Sequence, residues 1–320
     1  MPLQPVSARS SVERNGYLSS NGDLQRIEYF NYIEDQDRGP VNALALAYSG
    51  FPLVYPDIVG GLFAKGLSDH AAFSTTRTER MQLYVMREAQ WAALCTGMAM
   101  GEPPWTFSTQ TGKVMLQAAQ LHDRISPYLY SNAVRFVRDG YPWTMTPLPL
   151  AFPDDPHVYG RENASERGYE WMIGDALLAT PLYGNDYASA TARDIYLPHG
   201  KWMDFDTGKL YRGGQRLVNF ALPPGKTPLF VGGSGVTLEN RGGQLLICIY
   251  PIAERANVNL TLPQGGRMVR VAVQGLPAGV PWSGVIVRDS SGNVVVTERS
   301  GFAFAYAPNE GERYSVRALP

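Results

Sequence analysis

Phe51-Pro52-Leu53-Val54-Tyr55-Pro56-Asp57-Ile58-Val59-Gly60-Gly61 reads as a short apolar strand over Leu53–Pro56, followed by one carboxylate and a double glycine. An acid at the C-terminal tip of a strand, beside flexible backbone, is where a barrel enzyme keeps its site residues. The other reading of Asp57 is a turn cap or an arginine partner.

Downstream of this stretch the pattern turns helical. Glu79–Cys95 runs without Gly or Pro and places Leu83, Met86, Ala89 and Ala93 at helical spacing. A second long helix is predicted from about Lys113, with Leu121, Ile125, Leu129, Ala133 and Phe136 on one side. It is expected to bend or restart at Pro127 and to stop at Gly140, with Pro142 beyond. A strand alternating with long helices means a parallel sheet flanked by helices.

From about Arg193 the helical period disappears. Arg216–Ala221, Leu245–Tyr250, Asn257–Leu262, Met268–Val273, Gly284–Arg288 and Asn293–Glu298 are short β-rich runs separated by turns such as Pro263-Gln264-Gly265-Gly266 and Ser290-Ser291-Gly292-Asn293. Regular short strands with such turns indicate an all-β sandwich. The expected organisation is residues 1–188 as the C-terminal part of a (β/α)8 TIM barrel, its last strands and helices, and residues 189–320 as a β-sandwich region.

Composition narrows the function classes. The 320 residues are 44% hydrophobic and 18% charged, which excludes disorder and coiled coil, and 28 basic against 29 acidic residues leave a net charge of -1. That balance offers no overall attraction for nucleic acid or an anionic membrane, and the expected partner is neutral. Cys95 and Cys248 lie far apart in different kinds of segment, and His70, His122, His157 and His199 lack metal-site spacing, so neither a disulfide framework nor a metal centre is expected. Ser7–Gln25 is polar, without a basic start and apolar run, and no segment approaches the ~20 apolar residues of a membrane span.

Several segments in order carry a family resemblance. They are Gly50-Phe51-Pro52 through Gly61, Leu83-Tyr84 with Arg87-Glu88-Ala89-Gln90, Glu102-Pro103-Pro104-Trp105, and Arg124 with Ser126-Pro127-Tyr128-Leu129-Tyr130. Gly140 with Pro142, Phe152-Pro153 and Asp155 follow, then Gly174 with Leu177-Leu178 and Pro181, Tyr196 through Trp202 with Asp204, and Pro228-Leu229-Phe230-Val231 with Gly233. Over roughly residues 24–240 the chain resembles the C-terminal half of glycoside hydrolase family 31, which contains α-glucosidases, α-xylosidases and related retaining α-glycosidases.

The resemblance implies hydrolysis of an α-glycosidic bond of a carbohydrate substrate by two carboxylates about 5–5.5 Å apart, without cofactor or metal. The family's nucleophile sits in a motif resembling Trp-x-Asp-x-Asn-Glu, and this sequence contains no such run. The chain is therefore expected to be an N-terminally truncated, inactive fragment. Asp35, in Glu34-Asp35-Gln36-Asp37-Arg38, is the candidate proton donor; the other reading of that run is a solvated acidic loop. Asp57 and Trp105 are the candidate substrate-binding residues, Trp105 either stacking on a sugar face or plugging the barrel top. Met98-Ala99-Met100-Gly101 stands where many relatives carry an Arg and a sugar-contacting His. Arg87 reads as a structural partner, and Trp202 and Tyr196 as core. The alternative function is a non-catalytic carbohydrate-binding or structural remnant of such an enzyme.

Overall fold

Among the described residues the N-terminal part carries the helices α1 Arg38–Tyr48, α2 Glu79–Ala92 and α3 Thr109–Asp139. The computed structural model describes residues 38–54, 58–59, 79–101, 103–159, 170–182, 190–263, 265–275 and 282–319. Between α1 and α2 lies the strand Ile58–Val59, and between α2 and α3 the strand Ala99–Met100. The two strands pair in parallel, Ile58 with Ala99 and Val59 with Met100. Strand, helix, strand, helix in this order is the unit that the sequence predicts; a closed barrel is not among the described residues. The strand itself begins one residue after Asp57, whereas Leu53–Val54 belongs to no ladder.

α2 is enclosed on every side from Tyr84 to Ala92, so its polar residues need internal partners. The Arg87 guanidinium donates to Gln90 Oε1 at 3.1 Å and to the Ala190 carbonyl at 3.2 Å, and the Gln90 amide donates to the Lys226 carbonyl at 2.7 Å.

α3 is one continuous helix of 31 residues rather than two. Pro127 has no N–H to donate to the carbonyl of Asp123, and the Ser126 hydroxyl donates there instead, at 3.0 Å. Ser108 caps its start and Gly140, at φ 77°, ends it in the left-handed conformation.

The β part starts well before residue 189. One antiparallel six-stranded sheet runs, in spatial order, Thr146–Pro147, Trp171–Ile173, Leu177–Ala179, Leu229–Val231, Lys201–Asp204, Leu210–Arg212. Strands from both sides of residues 188/189 share this sheet. Its two faces follow the period-2 alternation. Met172, Leu178 and Phe230 join a cluster with Ile195, Leu197, Trp202 and Leu222, beneath the antiparallel pair Ala192–Leu197 and Gln215–Ala221. Trp171, Ile173, Leu177, Ala179, Leu229 and Val231 face the other way, into the large core shared with α2 and α3. Trp202 and Tyr196 are core residues, 1% and 3% exposed.

Two further sheets follow. Val236–Arg241, Gln244–Ile249, Ala303–Tyr306 and Glu298–Ser300 form a four-stranded sheet, and Arg255–Thr261, Met268–Gln274, Arg313–Leu319, Gly284–Arg288 and Val294–Val295 a five-stranded one. Tyr306 and Tyr314 meet edge to face at 4.9 Å across the space between the sheets, and the inward Val258, Val271, Val273, Val287 and Val316 complete that core. The segment expected as one strand over Asn293–Glu298 is divided, because Val294–Val295 pairs in one sheet and Glu298–Ser300 in the other.

α3 packs on α2, on Val236–Arg241 and on Arg255–Thr261. At its centre sits the fully buried Glu239 carboxylate. Arg124 Nε donates to it at 2.6 Å, Arg241 Nε at 2.8 Å, the Tyr250 hydroxyl at 2.8 Å and the Thr237 hydroxyl at 2.7 Å. Burial pushes the Glu239 carboxyl up, but the two guanidiniums and the Thr237 hydroxyl outweigh it and hold it below its ordinary value. The Arg124 guanidinium also lies over the Phe205 ring, 4.3 Å from its centre.

Arg124→Met removes one charge-assisted donor and leaves Arg241, so it should cost about 1.5–3 kcal/mol in urea unfolding. Removing both arginines strands a buried carboxylate and should cost about 3–5 kcal/mol or more. A carboxyl whose folded value is depressed stabilises above its unfolded value and loses that contribution as pH falls through the folded one. The melting temperature should therefore drop on acidification below the ordinary Glu value of 4.5, and Glu239→Gln should flatten that drop.

Candidate functional site

The C-terminal ends of the parallel pair are locked together: the Gly101 N–H donates to the Val59 carbonyl at 2.8 Å, extending the ladder by one bond. The chain then turns through Pro103 and Pro104, whose rings fix φ, into a short 3₁₀ turn over Pro104–Thr106. The Thr106 hydroxyl and N–H both donate to the Pro103 carbonyl, at 2.7 and 3.0 Å. On its far side the turn runs into α3, where a Cβ added at Gly112 would lie 3.0 Å from the Pro104 carbonyl oxygen, a tight contact.

A second brace comes from α2. Gln82 Oε1 accepts from the Ser108 N–H at 2.9 Å and from the Thr111 hydroxyl at 3.0 Å, while Ser108 Oγ accepts from the Thr111 N–H. The turn is thus fixed at both ends. At its tip Trp105 is 83% exposed. An indole left in solvent on a fixed support is an apolar plate available for stacking, and sugar faces are among the surfaces aromatic rings stack on well.

Of the three residues that the sequence singles out, Trp105 is the one described. It stands at the tip of its turn with its indole exposed. Asp35 and Asp57 lie outside the described residues, so the three are not brought together here. Asp57 directly precedes Ile58, the first residue of the parallel pair. Gln82, Ser108 and Gly112, which set the position of the turn, escaped the sequence reading; the polar run Ser108-Thr109-Gln110-Thr111-Gly112 is a cap signal that could have shown Ser108.

The buried carboxylates of the β part are committed to structural partners. Glu170 holds Arg193 at 2.8 Å, Asp204 accepts from Lys226 Nζ at 2.6 Å, and Glu239 holds its two arginines. Asp155 accepts from the Tyr196 hydroxyl at 2.7 Å and the His157 N–H at 3.0 Å. Burial works to raise the Asp155 carboxyl, and these hydrogen bonds overcome it and hold the carboxyl below its ordinary range. Arg87, with its donors on Gln90 and Ala190, belongs to the docking of α2. Among the described residues no group of three or more His, Cys, Asp and Glu is placed to hold a metal ion.

Comparison with known proteins adds identity to this geometry. Residues 140–236 match the glycosyl hydrolase family 31 C-terminal domain. An α-xylosidase from Saccharolobus solfataricus is 29% identical over 231 residues, covering 70% of this chain and 28% of that protein. A 1,6-α-glucosyltransferase from Sporosarcina globispora is 33% identical over 130 residues, 40% of this chain and 9% of that protein. The solved structure of the cycloalternan-forming enzyme from Listeria monocytogenes, in complex with a pentasaccharide substrate, shares the fold with a TM-score of 0.63 at 16% identity, over 86% of this chain and 30% of its own. The chain spans less than a third of the length of each of these relatives.

Because Trp105 buries little and Gln82 holds two donors, the two should separate in experiment. Trp105→Ala should change unfolding free energy by less than about 0.5 kcal/mol. Gln82→Ala should cost about 1 kcal/mol and raise amide exchange at Ser108 and Thr111.

Proposed function

We propose, on the premise that this chain belongs to glycosyl hydrolase family 31 through its C-terminal part, that it serves a protein processing α-glycosidic bonds in glucosides or related sugars. The observation that carries this reading is the exposed Trp105 indole, braced at the C-terminal end of a parallel strand, in a chain whose β part matches that family over residues 140–236. In a (β/α)8 barrel that end of the strands is where substrates are held. We read the strand–helix–strand–helix unit before residue 140 as the last part of such a barrel, and the β part after it as the sandwich region. The two-part organisation is kept, with the division moved from 188/189 to about 140.

On this reading Asp57, which directly precedes the strand Ile58–Val59 in the chain, orients sugar hydroxyls as Trp105 stacks on the ring face. Asp35 serves as proton donor. Retaining hydrolysis also needs a carboxylate nucleophile, and the 320-residue sequence has no run resembling the family's nucleophile motif. That carboxylate is assigned to residues other than these. Without it, transition-state stabilisation worth several factors of ten is missing, each factor being about 1.36 kcal/mol.

The test uses aryl α-glucosides and α-xylosides. The chain alone should give no turnover above background, and mixing it with the N-terminal segment of a family 31 relative should restore hydrolysis. Restored activity should vanish with Asp57→Asn and Asp35→Asn, and Trp105→Ala should lower kcat/KM by about 3- to 10-fold. Turnover by the unaided chain, abolished by either Asn variant, would place the nucleophile inside it and overturn this assignment.

A further inference from the structure

The outward face of the five-stranded sheet gathers charge of one sign. In each of its four longer strands the residues alternate between core and solvent, and the solvent positions fall into rows across the sheet by register. One row is Arg255, Gln274, Arg317 and Ile286; the next is Asn257, Ala272, Ser315 and Arg288; the third is Asn259, Arg270 and Arg313. All five arginines are exposed. None of these eleven positions is Asp or Glu, in a chain with 28 basic and 29 acidic residues overall.

The neighbouring carboxylates form no ion pair with these arginines. Glu312 Oε1 accepts from the Ser290 and Arg313 N–H groups, and Asp289 is occupied by the N–H groups of Ser291 and Asn293 within its own turn. Glu254 pairs with Lys201 at 3.9 Å, and Glu310 with Arg267 at 3.9 Å. Among the described residues Arg255, Arg270, Arg288, Arg313 and Arg317 make no ion pair, and the one hydrogen bond from these guanidiniums is that of Arg288 to the Gly292 carbonyl. Arg270 and Arg313 are direct register partners on adjacent strands, about 4.8 Å apart in the pairing direction. Like charges placed side by side in this way weaken a sheet. The arrangement returns nothing to the fold that would explain it.

We propose that this face binds an acidic polysaccharide, one whose repeating sugars carry carboxylate or sulfate groups. The planar guanidinium forks suit bidentate recognition of such anions. Asn257, Asn259, Gln274 and Ser315 lie between the arginines and supply both donors and acceptors for sugar hydroxyls. The same face argues against other polyanions. It carries no aromatic residue on which a nucleic-acid base could stack, and its apolar side chains Ile286, Val294 and Leu319 stand among polar positions rather than forming the broad apolar face that enters a membrane. The assignment rests on the sheet surface alone and stands apart from the glycosidic reading.

The experiment is affinity electrophoresis and calorimetry of the whole 320-residue chain at low and physiological salt. The probes are polygalacturonate, dextran sulfate, neutral dextran, a duplex DNA oligonucleotide and phosphatidylserine vesicles. Binding to the two acidic polymers, weakening as salt rises, is expected, with dextran unbound at this face. Arg270→Ser with Arg313→Ser should weaken that binding about tenfold or more without lowering the melting temperature, since both side chains are exposed and their mutual repulsion is relieved. Arg267→Ser, outside the rows, should leave it intact. Failure to bind either acidic polymer, binding that survives the double variant, or tighter binding to DNA or vesicles would each overturn the proposal.

Discussion

A carboxylate with no access to water, Glu239, is tolerable only where its charge is met from several directions, and meeting it sets how the helical part joins the β part. Arg124 comes from α3 and Arg241, Thr237 and Tyr250 from the four-stranded sheet region. Arg124 is one of a stripe on α3: Tyr128, Ser131 and Arg135 follow at intervals of four, three and four, which keeps them on one side of the helix. The Tyr128 hydroxyl donates to Asp175 at 3.1 Å, Arg135 faces Asp175 at 3.5 Å, and Ser131 Oγ accepts from the Thr261 N–H at 2.9 Å. One polar stripe thus holds the six-stranded, four-stranded and five-stranded sheets. Apolar packing alone would permit α3 to slide along these sheets, while hydrogen bonds to particular buried atoms allow one register.

The candidate site inherits its geometry from this junction. α2 touches the β part through Arg87 and Gln90 and reaches the Trp105 turn through Gln82. The exposed indole is therefore tied, through one buried helix, to Ala190 and Lys226 of the β part. Gly174 and Gly232 show the same closeness elsewhere, because an added Cβ would meet Tyr128 Oη at 2.4 Å and the Trp202 ring at 2.3 Å.

Much of the architecture was legible because it follows a period. The apolar spacing of α2 and α3, the stop at Gly140, and the alternating strands of the last sheet all appear in the residues themselves. Trp105 was legible as a candidate through its motif, although nothing in the residues shows that its indole stands exposed. Trp171–Ile173 and Leu177–Ala179 escaped notice because each is three residues long and buried on both faces, which leaves no alternation to read. That is also why the β part seemed to start near 189, when its first sheet begins at Thr146.

By itself, then, the sequence determined the kinds of element, their order and the family resemblance, since these depend on neighbours along the chain. Tertiary structure decided the rest. It divided Asn293–Glu298 between two sheets and set Arg87 and Glu239 to holding layers together. It also gathered five arginines from four strands onto one face, a charge pattern that a net charge of -1 conceals. Each of these outcomes depends on which atoms meet across distances that chain order does not specify.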